Sequence, residues 1–467
     1  MKLIRIACVL GLTLCLATSV YAGTQSVKIS GDVTVRAILR SDYDLDEDNE
    51  EPATVDTTGI GTGTSDWQEY FMSTAEVQVD ANLTDNVSAV IRLFNQRDWG
   101  DDNATTDEFD VGMDLMYVEL KEFLYSPLTL KIGRQDIWIG KGFIVGANIS
   151  DYNSNINANE YSCATSFDAI RATLDYDPWT IDGIAAKLAE GHISSSDDNS
   201  LFGVNVGYIF DFYNGEAEAY WFYKNDANTT EATEVETHNT VHTIGLRGSA
   251  DPVESWTAAA EGAVQFGDYV GFTGQLEDRD RLAWALDVSA ECRYFTNMFV
   301  WKPVIGAEYV FYSGDGESDP DTSTSDDYNG WDVMSRGKFD SKIRDFYGLY
   351  YNSAMCADET INPESALTNQ HSICLYGSIE PLDGLTVDAK CFAYWQPESR
   401  TVNDAGLDID QDRDEYLGTE LDLELTWDYT EDVSFSVLTA WFFPGDFYAS
   451  GYDDTCSDLV GSMKLSF

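Results

Sequence analysis

The sequence predicts an all-β chain closed into a transmembrane antiparallel barrel, with about eighteen strands, short turns at one end and long acidic loops at the other. Three observations predict it: hydrophobic alternation with period two from end to end, connections sorted by length according to strand parity, and an alternating last strand that stops on Phe467. Residues 27–39 set the pattern. Val27, Ile29, Val33, Val35, Ala37 and Leu39 alternate with Lys28, Ser30, Asp32, Thr34 and Arg36. Successive side chains of a strand point to opposite faces, so this segment has one apolar and one wet face.

The chain opens with Lys2 and Arg5, an apolar run from Ile6 to Leu16, and small residues over Ala17–Ala22 ahead of Gly23. This is the form of a secretory signal peptide; the run is too short for a spanning helix, which needs roughly 20 residues. The expected organisation is a signal peptide at 1–22 and one barrel at 23–467. Candidate strands centre near residues 33, 74, 91, 115, 133, 171, 185, 205, 219, 243, 260, 284, 306, 375, 390, 420, 438 and 461. Connections after even-numbered strands are tight: Asp85-Asn86, Ser126-Pro127, Asp177-Pro178, Asn214-Gly215, Asp251-Pro252, Thr296-Asn297, Asp383-Gly384 and Tyr429 to Asp432. Those after odd-numbered strands are longer and polar, notably 41–65, 139–165, 314–369 and 397–413. A soluble sandwich has no reason to sort its loops this way, whereas outer-membrane barrels do. A membrane sheet must also close, because lipid offers an open edge no hydrogen bonds. The terminal Phe467 is similar to the signal read by the outer-membrane assembly machinery, which makes that machinery and the surrounding lipid and lipopolysaccharide expected partners.

Composition narrows the function classes. The formal net charge is −55, which repels nucleic acid and favours cations or neutral solutes. Cys163 and Cys356 both fall in loops and are a candidate pair, but connectivity is not readable from spacing. His238 and His242 are four apart in a segment that reads as strand, about 13 Å, too far for one metal. No nucleophile elbow and no cofactor motif is present, so neither catalysis nor a cofactor is expected. Aromatics near strand ends, such as Trp67, Trp99, Trp138, Trp179 and Trp441, fit interfacial girdles.

The loops and the wet face hold the charge. Residues 41–65 carry eight acids and no base, and 314–369 carry twelve acids against four bases. Asp408 to Asp414 looks like a calcium loop but lacks its glycine and its last glutamate, so diffuse binding of divalent cations is the expectation there. With the polar phase turned inward, acids such as Asp32, Glu76, Asp80, Asp175, Asp287 and Glu424 meet bases such as Arg36, Arg40, Arg92 and Lys131, a mixed wall. The connection 314–369 is expected to fold inward as a constriction, anchored by Trp331, Phe339, Phe346 and Tyr347.

Five short elements appear in order. They are Gly133-Arg134-Gln135 with Gly140, Phe167-Asp168 with Arg171, Glu261 with Gln265-Phe-Gly267, Gly306-Ala-Glu308-Tyr309 with Ser313-Gly314-Asp315, and Leu417-Gly-Thr-Glu420-Leu-Asp422 with Phe443-Pro-Gly445. Together they resemble the alginate export family of eighteen-stranded outer-membrane porins. The resemblance implies a channel for export or uptake of an oligo- or polysaccharide or a similar polar solute. It makes Arg134 and Arg171 candidate solute contacts and adds Gln135, Asp168, Gln265 and Glu308 as candidate pore-lining groups, beside Glu261, Glu420 and Asp422, which alternation already turns inward together with Arg171. Two alternatives stay open: a barrel enzyme acting on lipid or sugar, and a plugged barrel serving structure or adhesion.

Overall fold

A computed structural model describes residues 26–43, 45, 67–100, 111–149, 156–190, 198–230, 235–270, 278–315, 327–347, 368–398, 415–448 and 453–467. The signal peptide, the calcium-like run 408–414, His192 and Cys356 lie outside the described residues. Nineteen strands form in chain order: β1 (Ser26–Ser41), β2 (Trp67–Thr84), β3 (Val87–Asp98), β4 (Gly112–Leu120), β5 (Leu128–Gln135), β6 (Phe167–Tyr176), β7 (Trp179–Glu190), β8 (Asp198–Ile209), β9 (Glu216–Thr230) and β10 (Val235–Val253). There follow β11 (Trp256–Val270), β12 (Asp278–Cys292), β13 (Val304–Tyr312), β14 (Asp327–Tyr328), β15 (Gln370–Leu382), β16 (Leu385–Trp395), β17 (Tyr416–Asp428), β18 (Val433–Pro444) and β19 (Cys456–Ser466).

Eighteen of these make the wall, each antiparallel to its chain neighbour, and every predicted centre falls inside one of them. The exception, β14, is a two-residue segment running parallel to the upper end of β12, where Asp280 and Arg281 face Asp327 and Tyr328. The sheet closes between β1 and β19, from Asp32 opposite Ser466 to Ser41 opposite Ser457. No helix among the described residues is long and apolar enough to cross a membrane; the strands do it instead.

Alternation decides which face is which. Val27, Ile29, Val33, Phe71, Val77, Ile91, Val204, Leu246, Leu375 and Leu423 are all exposed on the outside, where they form the apolar belt. Their neighbours in sequence point inward. The turn end is tight as expected at 85–86, 177–178 and 383–384. The β10–β11 turn falls at 254–255 rather than at Asp251-Pro252, which lies within the end of β10, and the β4–β5 and β8–β9 connections are longer, 121–127 and 210–215. The β12–β13 connection differs: Thr296-Asn297 is the middle of an eleven-residue segment, 293–303, that includes a 3-10 turn at Tyr294–Asn297. Rings hold it together, with Phe299 5.3 Å from Trp301 and 6.4 Å from Phe295.

The inner face departs from the uniformly wet wall that alternation alone suggests. Over β6 to β13 its upper half is apolar, with Phe167, Ala169, Ile184, Ala186, Leu201, Phe222, Val241, Ala263, Ala283, Ala285 and Val310 in one buried cluster. Many of these are alanines, and that leaves room for something to pack against them. What fills the space is the chain itself: residues 137–145 and 331–334 join the same cluster.

At the seam, Gly31 N–H donates to the Phe467 carbonyl at 3.0 Å and Phe467 N–H donates to the Gly31 carbonyl at 2.9 Å. A β-carbon at Gly31 would stand 2.4 Å from the Glu76 carbonyl oxygen and 2.7 Å from the Phe467 ring. Gly31→Leu is therefore expected to cost about 1–3 kcal/mol through overpacking. Loss of the compact, unheated gel band at a lower temperature than wild type would register it; an unchanged transition would refute it.

Candidate functional site

Two connections fold into the lumen and meet there. The first runs from 136 to 166, described over 136–149 and 156–166, and the second from 313 to 369, described over 313–315, 327–347 and 368–369. Their backbones are joined. Gly146 and Ala147 N–H both donate to the Ser335 carbonyl at 2.7 and 3.0 Å, Ser335 N–H donates to Ile144 at 3.1 Å, and Gly337 N–H to Gly142 at 2.9 Å. Val145 and Ser335 pair as a parallel bridge. The approach is closest where neither chain has a side chain: a β-carbon on Gly146 would lie 2.8 Å from the Gly337 α-carbon. Farther on, the Tyr161 ring of the first loop meets the Phe346 ring of the second edge-on at 5.4 Å. The result is a partition across the lumen.

Apolar burial and opposite charge fix this partition to the wall. Trp331, Val333 and Met334 are buried against Tyr312 and the alanine shelf, and removing each such side chain from water contributes roughly 1.5–3 kcal/mol. Lys338 Nζ lies 2.7 Å from Asp287, 2.8 Å from Glu308 and 3.0 Å from Asp340. Lys141, from the first loop, donates to Ser289 Oγ at 2.7 Å and lies 3.7 Å from Glu308. In the opposite sense, Lys224 of β9 reaches Asp332 at 3.2 Å and Arg281 of β12 donates to the Gly330 carbonyl at 2.8 Å. Where the wall is acidic the loop is basic, and where the wall is basic the loop supplies oxygen.

That arrangement explains the mixed wall. Glu261 and Asp287 stand directly opposite each other on β11 and β12, a like-charge pair that destabilises a sheet unless each is neutralised. The Tyr220 hydroxyl donates to Glu261 at 2.8 Å, and Lys338 neutralises Asp287.

The candidate residues divide into three groups. Four grip the second loop. Gln265 donates to the Asp332 carbonyl at 2.7 Å and accepts its N–H at 2.8 Å, and Glu308 holds Lys338. Glu420 accepts the N–H groups of Lys342, Ile343 and Arg344 at 3.0, 2.7 and 3.0 Å, and Asp422 accepts Lys342 N–H at 3.2 Å. Three brace the wall from its inner face: Gln135 donates to the Ala169 carbonyl at 2.9 Å, Arg171 pairs with Asp182 at 2.8 Å, and Glu261 accepts from Tyr220. Arg134 and Asp168 are elsewhere. They share a register row with Met116, alternate in phase with Ile170, and lie 3.6 Å apart on the outward face. Gln135, Gln265 and Glu420 have no exposed surface.

Sequence reasoning missed the partners on the loops, Lys141, Asp332 and Lys338. It also treated 139–165 as an ordinary polar connection. The glycines at 140, 142, 146 and 337 were the available signal, since a chain that must approach another backbone needs them.

Burial pushes the Asp332 carboxyl up, but the charges of Lys224 and Arg281 and the Met334 N–H outweigh it and hold the group below the usual carboxylate range. Asp340 is likewise lowered, against the cost of burial, by Lys338 and Arg336. A depressed carboxylate contributes stability that is complete above its unfolded pKa, about 3.9, and is lost as pH falls through the folded value. The second loop should therefore resist pepsin at Met334 and Phe339 down to about pH 4 and become cleavable below it. Cleavage already at pH 6 would contradict this account.

The alginate export family profile matches residues 53–462. No curated protein is a significant sequence match. Among solved structures, the chain is similar to OpdO of Pseudomonas aeruginosa, at 10% identity and a TM-score of 0.53, covering 96% of this chain and 98% of that one. OpdF of the same organism, solved in complex with glucuronate, is 12% identical with a TM-score of 0.52 over 95% and 99% of the two chains. OpdK, solved with vanillate, is 10% identical with a TM-score of 0.51 over 94% and 99%. At these identities the likeness is one of fold, a closed outer-membrane barrel. With the profile spanning most of its length, the chain belongs to the alginate export family and is a bacterial outer-membrane β-barrel channel protein.

Proposed function

We propose that the chain is a passive, non-catalytic channel for small polar, hydroxylated solutes, of the size of one or a few sugar units. The observation that carries this reading is the partition: two inward loops joined backbone to backbone and clamped to the wall narrow a barrel whose eighteen strands would otherwise enclose a wide aqueous pore. A long polymer would have to displace the clamp, so we place alginate-like polysaccharide second to small saccharides. The glucuronate bound to OpdF and the vanillate solved with OpdK favour small polar solutes for the fold. In the same reading, residues 1–22 direct export and Phe467 engages the assembly machinery.

Charge supports a preference for cations over anions. Lys338 is shared among three carboxylates, and Arg92 likewise serves Glu76, Asp114 and Asp136. The bases that remain in the lumen are thus largely neutralised, and acids outnumber them.

Purified protein in planar bilayers should give discrete channels whose reversal potential in a salt gradient has the sign of cation preference. Anion preference would restore the polyanion reading, and a folded but silent barrel would point to a plugged one. Deleting residues 327–347 should raise single-channel conductance severalfold and admit larger sugars in a liposome-swelling assay. Unchanged conductance would show that the partition does not set the bore.

A further inference from the structure

Glu420 was a pore-lining candidate, yet its carboxylate has no exposed surface and both of its oxygens are occupied. It stands on the inner face of β17 and points at the start of the short helical segment Lys342–Tyr347 in the second loop. One oxygen takes the N–H groups of Lys342 and Ile343, and the other takes that of Arg344. These are the amides that a helix start leaves without partners inside the helix. A charged acceptor makes such bonds roughly twice as strong as a neutral one. Asp422, two residues along on the same face, adds a second acceptor for Lys342 N–H.

The rest of the segment depends on that anchor. Arg344 donates to Gln370 at 2.6 Å and to the Tyr448 hydroxyl at 3.1 Å, and Ile343 is fully buried beside Phe392, Leu417 and Phe442. Three residues past Ile343, Phe346 reaches across to Tyr161 of the first loop. Glu420 thus holds the second loop just beyond the Lys338 clamp, where the loop packs against β17 and β18.

We propose that Glu420 is a positioning residue for the constriction: by holding three backbone amides it keeps the 341–347 segment seated and sets the bore of the channel, without touching solute. The proposal rests on the channel reading above. Neither glutamine nor alanine does the same work at this place. Glutamine keeps the size but has one acceptor oxygen, and its NH2 group must face an amide donor. Alanine leaves the Ile343 and Arg344 N–H groups without an acceptor and Lys342 N–H with Asp422 alone.

The test uses the full-length protein in planar bilayers and in liposomes. E420Q and E420A should fold, with the compact unheated gel band retained, yet show at least a twofold higher mean conductance and frequent flicker between levels. Asp422→Asn, which removes the weaker acceptor, should give a smaller change of the same sign. A second readout does not depend on current. Ile343→Cys should be inert to a membrane-impermeant maleimide when Glu420 is present and labelled when it is combined with E420Q, as read by peptide mass spectrometry. Wild-type channels that conduct while E420Q matches them in conductance and labelling would overturn the role of Glu420 and leave the channel reading intact. Silent wild-type protein would overturn the channel reading first, and the maleimide result would still decide whether Glu420 seats the loop.

Discussion

Everything in this molecule follows from one constraint: a backbone inside lipid must find all its hydrogen bonds within the protein. Eighteen wall strands satisfy it by closing on themselves, with β1 against β19. Closure at this strand number creates a lumen too wide for wall side chains to fill. The chain therefore faces a second problem on the inside, where water is available and the shape of the opening has to be specified by something other than the wall.

The two inward loops answer it with the same physics used twice. Small apolar wall residues make a shelf against which Phe143, Val145, Trp331 and Val333 are dried. Around that shelf, ions of opposite sign are divided between wall and loop so that neither surface is balanced alone. Asp287 and Glu308 need Lys338; Asp332 needs Lys224. Breaking one partner of such a buried set leaves an uncompensated charge, which is far more costly than the pair is favourable. The clamp is thus specific even if its net contribution to stability is modest.

The fold was legible in the sequence because period two and loop parity are local signals repeated many times. All eighteen strand centres could be placed from them. The partition was legible only in part. Bulk at Trp331, Phe339 and Phe346 announced that 314–369 turned inward, and the structure bears this out for its described residues. The matching role of 136–149 left only glycines as a trace, and the pairing of Lys338 with Asp287 links residues 51 apart through space, which no periodicity reports. Arg134 and Asp168 were candidates through the family motif alone; the alternation that turns Lys131 and Arg171 inward turns both of them outward, where the register places them. A motif match carries residue types but not the face they occupy, and at the end of β5 the polar Arg134 stands outside while Gln135 beside it is buried.

The seam between the first and last strands carries an implication for how a copy of this protein is made. The Ser466 hydroxyl hydrogen-bonds Asp32, 434 positions earlier in the chain. A chain lacking either edge strand cannot form that contact, and its sheet stays open-edged. An arrested or truncated chain would expose two unpaired strand edges with the apolar faces beside them, which is the template for sticking to other chains. Pairing of β1 with β19 is therefore what retires the aggregation hazard: each edge is safe only once it has found the other.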